Sequence, residues 1–127
     1  MKSDWKIIAA LAIGVLSGGV GTLLAQAQIK APAYFIAESE VSDPAADAKI
    51  IAKLPATAER FGGRYLARGR KIVGFSDNTP RRVVIVQFDS MDAAVAWRAA
   101  PDVKALEEER MKIGTKLRLY AVEGIAR

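Results

Sequence analysis

The sequence predicts an α+β domain whose elements run strand, helix, strand, strand, helix, strand, with a hydrophobic helix ahead of it. That order is the split βαβ, ferredoxin-like arrangement. Two further observations agree with it. The stretches AYFIA and VVIVQF are the most apolar strand candidates, and they come first and third, the central places of such a sheet. RYLARGRKIV and KLRLYAV come second and fourth, and they carry the charges that edge strands tolerate.

In order, residues 1–27 begin with Lys2 and Lys6 and continue as an apolar run from Ile7 to Ala25. They end in Ala25-Gln26-Ala27, a small-x-small pattern that predicts signal-peptide cleavage after Ala27. The run is also nearly long enough to span a bilayer. Gly14 and Gly18 stand in a GxxxG spacing, which in a retained helix can be a dimer face. Two expectations follow: export with cleavage, giving a periplasmic protein, or retention as an inner-membrane anchor. In both, the positive start stays inside and the remaining chain lies outside the cytoplasm. The membrane is involved only through residues 1–27, and only if they are kept.

Residues 28–32 read as a linker and residues 33–127 as the domain. Ala33 to Glu40 is a buried strand whose end emerges into solvent. Ser42 or Asp43 caps the following helix, and Pro44 suits its first position. That helix runs to about Arg60, with Ile50, Ile51, Leu54, Ala58 and Phe61 near one face and Pro55 kinking or splitting it. Gly62-Gly63 ends it. The second strand spans Arg64 to Val73, and strict alternation sets Arg64, Leu66 and Arg68 on one face and Tyr65 and Ala67 on the other. Gly69 marks a bulge or an edge. Gly74 to Pro80 is a loop. The third strand, Arg82 to Phe88, is apolar on both faces, as a strand covered on both sides is.

Asp89 or Ser90 caps the second helix, which breaks and restarts at Pro101-Asp102 and runs through Val103, Leu106, Arg110 and Ile113. Glu107, Glu108 and Glu109 point mainly outward. Lys116 to Val122 is the last strand. The helices cover one face of this sheet, so the apolar second face of the third strand needs another cover. Each Val or Ile left bare forgoes about 1.5–3 kcal/mol. A second copy of the same sheet is the simplest cover, and a homodimer is expected.

Composition narrows the chemistry. The chain has no cysteine and no histidine, which removes thiolate and imidazole metal sites, His-ligated haem, a catalytic thiol and a Ser-His-Asp triad. No metal and no cofactor are expected. The net charge is +5, a modest basic balance that can steer anionic partners. Nucleic acid is not an expected partner: Arg81-Arg82 is too short a patch, and no aromatics interleave with it. Gly62-Gly63 is not a phosphate loop, because no Lys-Ser/Thr follows and the glycines close a helix instead of opening one.

The segment FGGRYLARG from Phe61 to Gly69, the run Arg82 to Phe88, the helix with Ala94, Trp97 and Pro101, and the closing Val122-Glu123-Gly124 together resemble the DUF1330 family. The resemblance covers about residues 33–124. It implies a ferredoxin-like, dimeric α/β-barrel fold and no established reaction. Related dimeric α/β-barrel families include cofactorless monooxygenases and chlorite dismutase-like haem proteins, and the absence of histidine argues against the latter. Family members are mostly leaderless, so the N-terminal segment is a departure.

Candidate ligand-binding residues are Arg64, Arg68, Arg82, Trp97 and Arg110. Arginine offers a planar, permanently charged fork for carboxylate or phosphate, and tryptophan an apolar wall with one donor. Together they would hold a small anionic or aromatic ligand. The competing expectation is that the arginines pair with Asp43, Glu38 or Glu123 and hold loops or the dimer. Trp97 taken alone reads as core. The leading functional expectation is therefore an exported homodimeric small-ligand-binding or structural domain. The alternative is a cofactorless enzyme, monooxygenase- or isomerase-like, acting on a small organic acid, with Asp43 or Glu123 as its acid/base. That alternative requires a carboxylate facing the same cavity as the arginines.

Overall fold

The computed structural model describes residues 30–127. The expected hydrophobic helix, its cleavage site after Ala27 and the start of the linker lie outside the described residues. Four strands, β1 (Ala33–Glu40), β2 (Arg64–Gly69), β3 (Val83–Phe88) and β4 (Lys116–Glu123), form one sheet in the order β2-β3-β1-β4. All neighbouring pairs are antiparallel. The helices are α1 (Pro44–Ile51), α2 (Leu54–Glu59), α3 (Met91–Ala99) and α4 (Pro101–Lys112). This is the ferredoxin-like α+β fold, with the first and third strands central as the apolar pattern predicts.

Local chemistry accounts for the helix boundaries. The Asp43 carboxylate accepts a hydrogen bond from the Ala46 amide at 3.2 Å, and Pro44 occupies the first turn. Pro55 splits the long helix instead of bending it, so α1 and α2 are separate segments. Ser90 caps α3 through the Ala93 amide. Ala100, extended at φ −63° and ψ 132°, breaks α3 from α4, and Pro101 then starts α4.

The turn into β2 is fixed by two glycines with different duties. Gly62 has φ +75°, in the left-handed region. Gly63 lies so close to the Phe88 ring that a Cβ there would stand 2.7 Å from it. The close approach lets the fully buried Phe88 close the core, which contains Ala33, Phe35, Val86, Trp97 and Val103. Trp97 packs edge-on against Phe35, with ring centroids 4.9 Å apart, and tilted against Phe88 at 5.3 Å.

The second strand differs from expectation in two ways. It stops at Gly69, because its partner β3 begins at Val83, directly opposite, and nothing pairs with Arg70 to Val73. Val73 and Phe75 accordingly lie exposed in the connecting loop. The alternation is also broken. Tyr65 pairs with Val86 and Ala67 with Ile85, which leaves Leu66 as an unpaired bulge residue. Beyond the bulge, Arg68 pairs with Val84. Val84 packs on the core, so Arg68 stands on the helix-covered face with Tyr65, and not on the face of Arg64. The expectation that Arg64 and Arg68 share a face is therefore corrected: one extra residue between them inverts the parity.

The opposite face of the sheet has no cover among the described residues. Its central row runs Ala67, Ile85, Ile36, Tyr120, and the flanking rows contribute Tyr34, Val122 and Val83. Tyr120 and Val122 are 43% and 51% exposed, so an apolar strip lies open along the middle of the sheet.

Candidate functional site

The site is built on the helix-covered face, where the last turn of α1, the start of α2, the bulged half of β2 and the side of α4 meet over β1, β3 and β4. A cavity there is walled by Phe35, Leu54, Val84, Trp97, Val103 and Leu119. Its polar lining is Tyr65, Arg68, Arg82, Arg98, Arg110 and Glu107. About 40 Å³ is open to the centres of water-sized molecules. At ~10–15 Å³ for each, that is room for roughly three waters.

Of the five ligand-binding residues expected from sequence, the fold brings four together here: Arg68, Arg82, Trp97 and Arg110. The fifth, Arg64, is on the far face and donates to Gln87 Oε1 at 3.1 Å. Trp97 serves as both core and wall: it is 2% exposed, and its Nε1 donates to Thr57 Oγ1 at 2.9 Å. The Thr57 hydroxyl in turn donates to the Leu54 carbonyl at 2.6 Å. The expected carboxylates are not brought to the cavity. Asp43 is the exposed cap of α1, and Glu123 ends β4 in solvent, opposite Ala33.

The carboxylate that organises the site is Asp47, which sequence reasoning did not single out. It is fully buried on α1. Its Oδ1 accepts from Arg110 Nε at 2.8 Å and from Thr115 Oγ1 at 3.0 Å, and its Oδ2 accepts from Arg110 Nη2 at 3.2 Å. Arg82 Nη1 lies 3.7 Å from Oδ2, near enough for attraction but without a tight bond. Burial by itself pushes the Asp47 carboxyl up. The Arg110 hydrogen bonds and charge, the Thr115 hydroxyl and the Arg82 charge outweigh it and hold the group below its ordinary value, so Asp47 stays ionised. A signal for it was present: Asp47 precedes Ile50, Ile51 and Leu54 at helical spacing, on the apolar stripe where an acid needs a partner. Of the arginines expected to pair with Asp43, Glu38 or Glu123, Arg110 and Arg82 pair with Asp47 instead, while Glu38 accepts from the Tyr120 hydroxyl at 2.7 Å.

Arg98 and Glu107 form a second ion pair across α3 and α4. Glu107 thus turns toward the cavity, not outward. Arg98 also lies over the rings of Phe35 and Trp97, 5.4 Å from each centroid. Burial and the nearby Arg110 charge lower the Arg98 guanidinium's affinity for its proton, although it remains charged. Burial raises the Tyr65 phenol, against the opposing pull of Arg68, Arg110 and Arg82. Tyr65 is therefore a neutral hydroxyl at physiological pH, surrounded by three cations.

The charge around the cavity does not balance. Four guanidinium groups face two carboxylates, Asp47 and Glu107, and both carboxylates are already engaged. Among the described residues, Arg68 has no carboxylate partner. Such an arrangement attracts an anion and offers it bidentate donors beside an apolar wall. It holds no free carboxylate to move a proton. Among the described residues, no group of three or more potential metal ligands is assembled.

The comparisons with known proteins agree on the architecture. A family model described as a domain of unknown function, DUF1330, matches residues 32–125. Among solved structures, SnoaB, a cofactor-independent oxygenase from Streptomyces nogalater, superposes with a TM-score of 0.55 at 17% identity, covering 76% of this chain and 94% of that one. A protein of unknown function from Rhodopseudomonas palustris gives a TM-score of 0.52 at 17% identity, covering 86% of this chain and 94% of its own. A conserved protein of unknown function from Bacteroides thetaiotaomicron gives 0.52 at 10% identity, covering 74% and 98%. At such identities the likeness establishes the fold alone. No curated protein matches the chain.

Proposed function

The chain belongs to the DUF1330 family, and from that premise we propose that its domain is an exported, homodimeric binding module for a small organic anion. The observation that carries the reading is the unbalanced cluster of four arginines lining one apolar-walled cavity. An anion entering it meets Arg110 and Arg98 already held by Asp47 and Glu107, while Arg68 and Arg82 keep donors to spare for it.

The test compares an anion with its neutral isostere. Sodium butyrate and butyramide are titrated into the full-length protein, with Tyr65 and the Trp97 indole N–H followed by NMR. Saturable shifts with butyrate and none with butyramide are the expected result. Equal responses to both, or none to either, overturn the reading.

Support for the homodimer comes from the open face of the sheet. Ile85, Ile36 and Tyr120 form an apolar row across its centre, and a two-fold copy buries that row against itself. Light scattering is expected to give twice the chain mass, and Ile85→Asp to halve it. A monodisperse wild-type monomer at micromolar concentration would sink this assembly. Support for export is the basic start, apolar run and Ala25-Gln26-Ala27 pattern of residues 1–27. Mass spectrometry of the protein from its source is expected to find a chain starting at Gln28, and a chain starting at Met1 leaves the inner-membrane anchor instead.

A further inference from the structure

The bulge in β2 has a consequence for what the cavity recognises. Without it, the strand would continue Leu66 opposite Ile85, Ala67 opposite Val84 and Arg68 opposite Val83. Arg68 would then join Arg64 on the uncovered face. With Leu66 unpaired, Arg68 instead pairs with Val84 and reaches the cavity. Arg82 stands two residues before Val84, immediately ahead of β3, where its carbonyl still accepts from the Ser39 amide of β1, and both guanidiniums line the same cavity. Both have donors to spare. Arg82 touches Asp47 only at 3.7 Å, and Arg68 has no carboxylate partner among the described residues. The Tyr65 hydroxyl, on the same face of the same strand, forms no hydrogen bond among the described residues.

The size of the cavity limits the ligand. Room for roughly three waters corresponds to ~90 Å³ of liquid volume. That space takes a carboxylate head, and because the cavity is open on one side a flexible alkyl tail, narrower in cross-section than a benzene ring, can extend from it along the apolar wall. The apolar wall formed by Phe35, Val84 and Leu119 suits an alkyl tail and offers nothing to a second charge.

We infer that Arg68, turned into the cavity by the bulge at Leu66, forms with Arg82 the clamp for the carboxylate of a short-chain aliphatic monocarboxylic acid, with Tyr65 as an additional donor. The inference rests on the anion-binding reading and specifies its ligand class and its determinant. Bulges commonly re-aim a side chain in this way, and here the re-aimed group is the unpaired cation.

The test moves the charge without changing it. In the Ala67→Arg/Arg68→Ala exchange variant, composition and net charge are those of the wild type, but the guanidinium moves to the opposite face of β2. Both positions are exposed, so the core of the chain is untouched. Ala67 lies beside Ile85 on the face proposed to meet a second copy, so light scattering checks the exchange variant's mass. Calorimetry with sodium butyrate on the full-length protein is expected to show binding to the wild type and at least tenfold weaker binding to the exchange variant. Arg68→Gln, which leaves the Ile85 face unchanged, should weaken it similarly and decides the matter if the exchange variant does not fold or its dimer is lost. Binding unchanged in both variants overturns the role of Arg68 and leaves anion binding itself standing. Sodium benzoate binding the wild type more tightly than butyrate overturns the size class alone. No binding of either acid to the wild type removes the anion reading and this inference together.

Discussion

Asp47→Ala is expected to destabilise the domain by about 3–5 kcal/mol, because it leaves the Arg110 guanidinium buried without its counter-charge. Arg110 is itself buried, and two of its nitrogens donate to Asp47. Thr115 loses its acceptor at the same time. Asp47→Asn separates charge from shape: the amide nearly fills the same space but cannot neutralise Arg110 or attract Arg82. Urea denaturation of both variants reads the effect, and an Asp47→Ala variant within about 1 kcal/mol of wild type would contradict the assignment.

The same group sets a pH dependence. The folded carboxyl titrates below its ordinary value of 3.8. A depressed carboxyl contributes stability that is complete above the unfolded value and is lost as pH falls through the folded one. Wild-type stability should therefore be level with respect to this group above about pH 5 and fall below about pH 4. Asp47→Asn should lack that part of the slope. Parallel acid-denaturation curves for the two proteins would show that the carboxyl is not protected.

Trp97→Ala is expected to cost a similar ~3–5 kcal/mol, by a different route. It opens the centre of the core between Phe35 and Phe88, and it strips the wall from the cavity. Trp97→Phe keeps most of the volume and removes the Nε1 donor. It leaves the Thr57 hydroxyl its bond to the Leu54 carbonyl, so no buried donor is stranded. The phenylalanine variant should therefore lose about 1–2 kcal/mol. Equal losses for the two substitutions would mean that the hydrogen bond, and not the packing, carries the residue's contribution.

The parts of the fold that depend on periodicity were legible before any coordinates. The doubly apolar VVIVQF announced a central strand, Pro55 announced a broken helix, and Asp43 and Ser90 announced caps. The convergence of Arg68, Arg82, Trp97 and Arg110 was also anticipated, but for Arg68 the parity argument was incorrect. Alternation gives a side chain's face only if the strand is regular, and nothing in RYLARG marks Leu66 as the unpaired residue: the bulge is set by the register against β3. Asp47 was missed for a different reason. An acid in the first turn of a helix reads as a favourable dipole partner in solvent. Only its spacing from Ile50 and Leu54 hinted at burial. Its partners, Arg110 and Thr115, lie 63 and 68 positions further along the chain, beyond any local pattern.

The strand order also dictates when the molecule can be finished. Ala33, at the start of the first strand, meets Phe88 on one side and Glu123 on the other. During synthesis the N-terminal strand therefore waits for most of the chain before it gains its first neighbour, and for nearly all of it before it gains its second. The lock on α1 waits as well, since Thr115 precedes the last strand. Long-range pairing of this kind makes for slow folding, because loop closure must precede the contacts that reward it. A nascent chain that has emerged only as far as Lys112 has all four helices of the described residues available and half of its central pairing missing. It carries an open apolar edge along Phe35 and Ala37, the kind of surface that chaperones bind and that aggregates grow from.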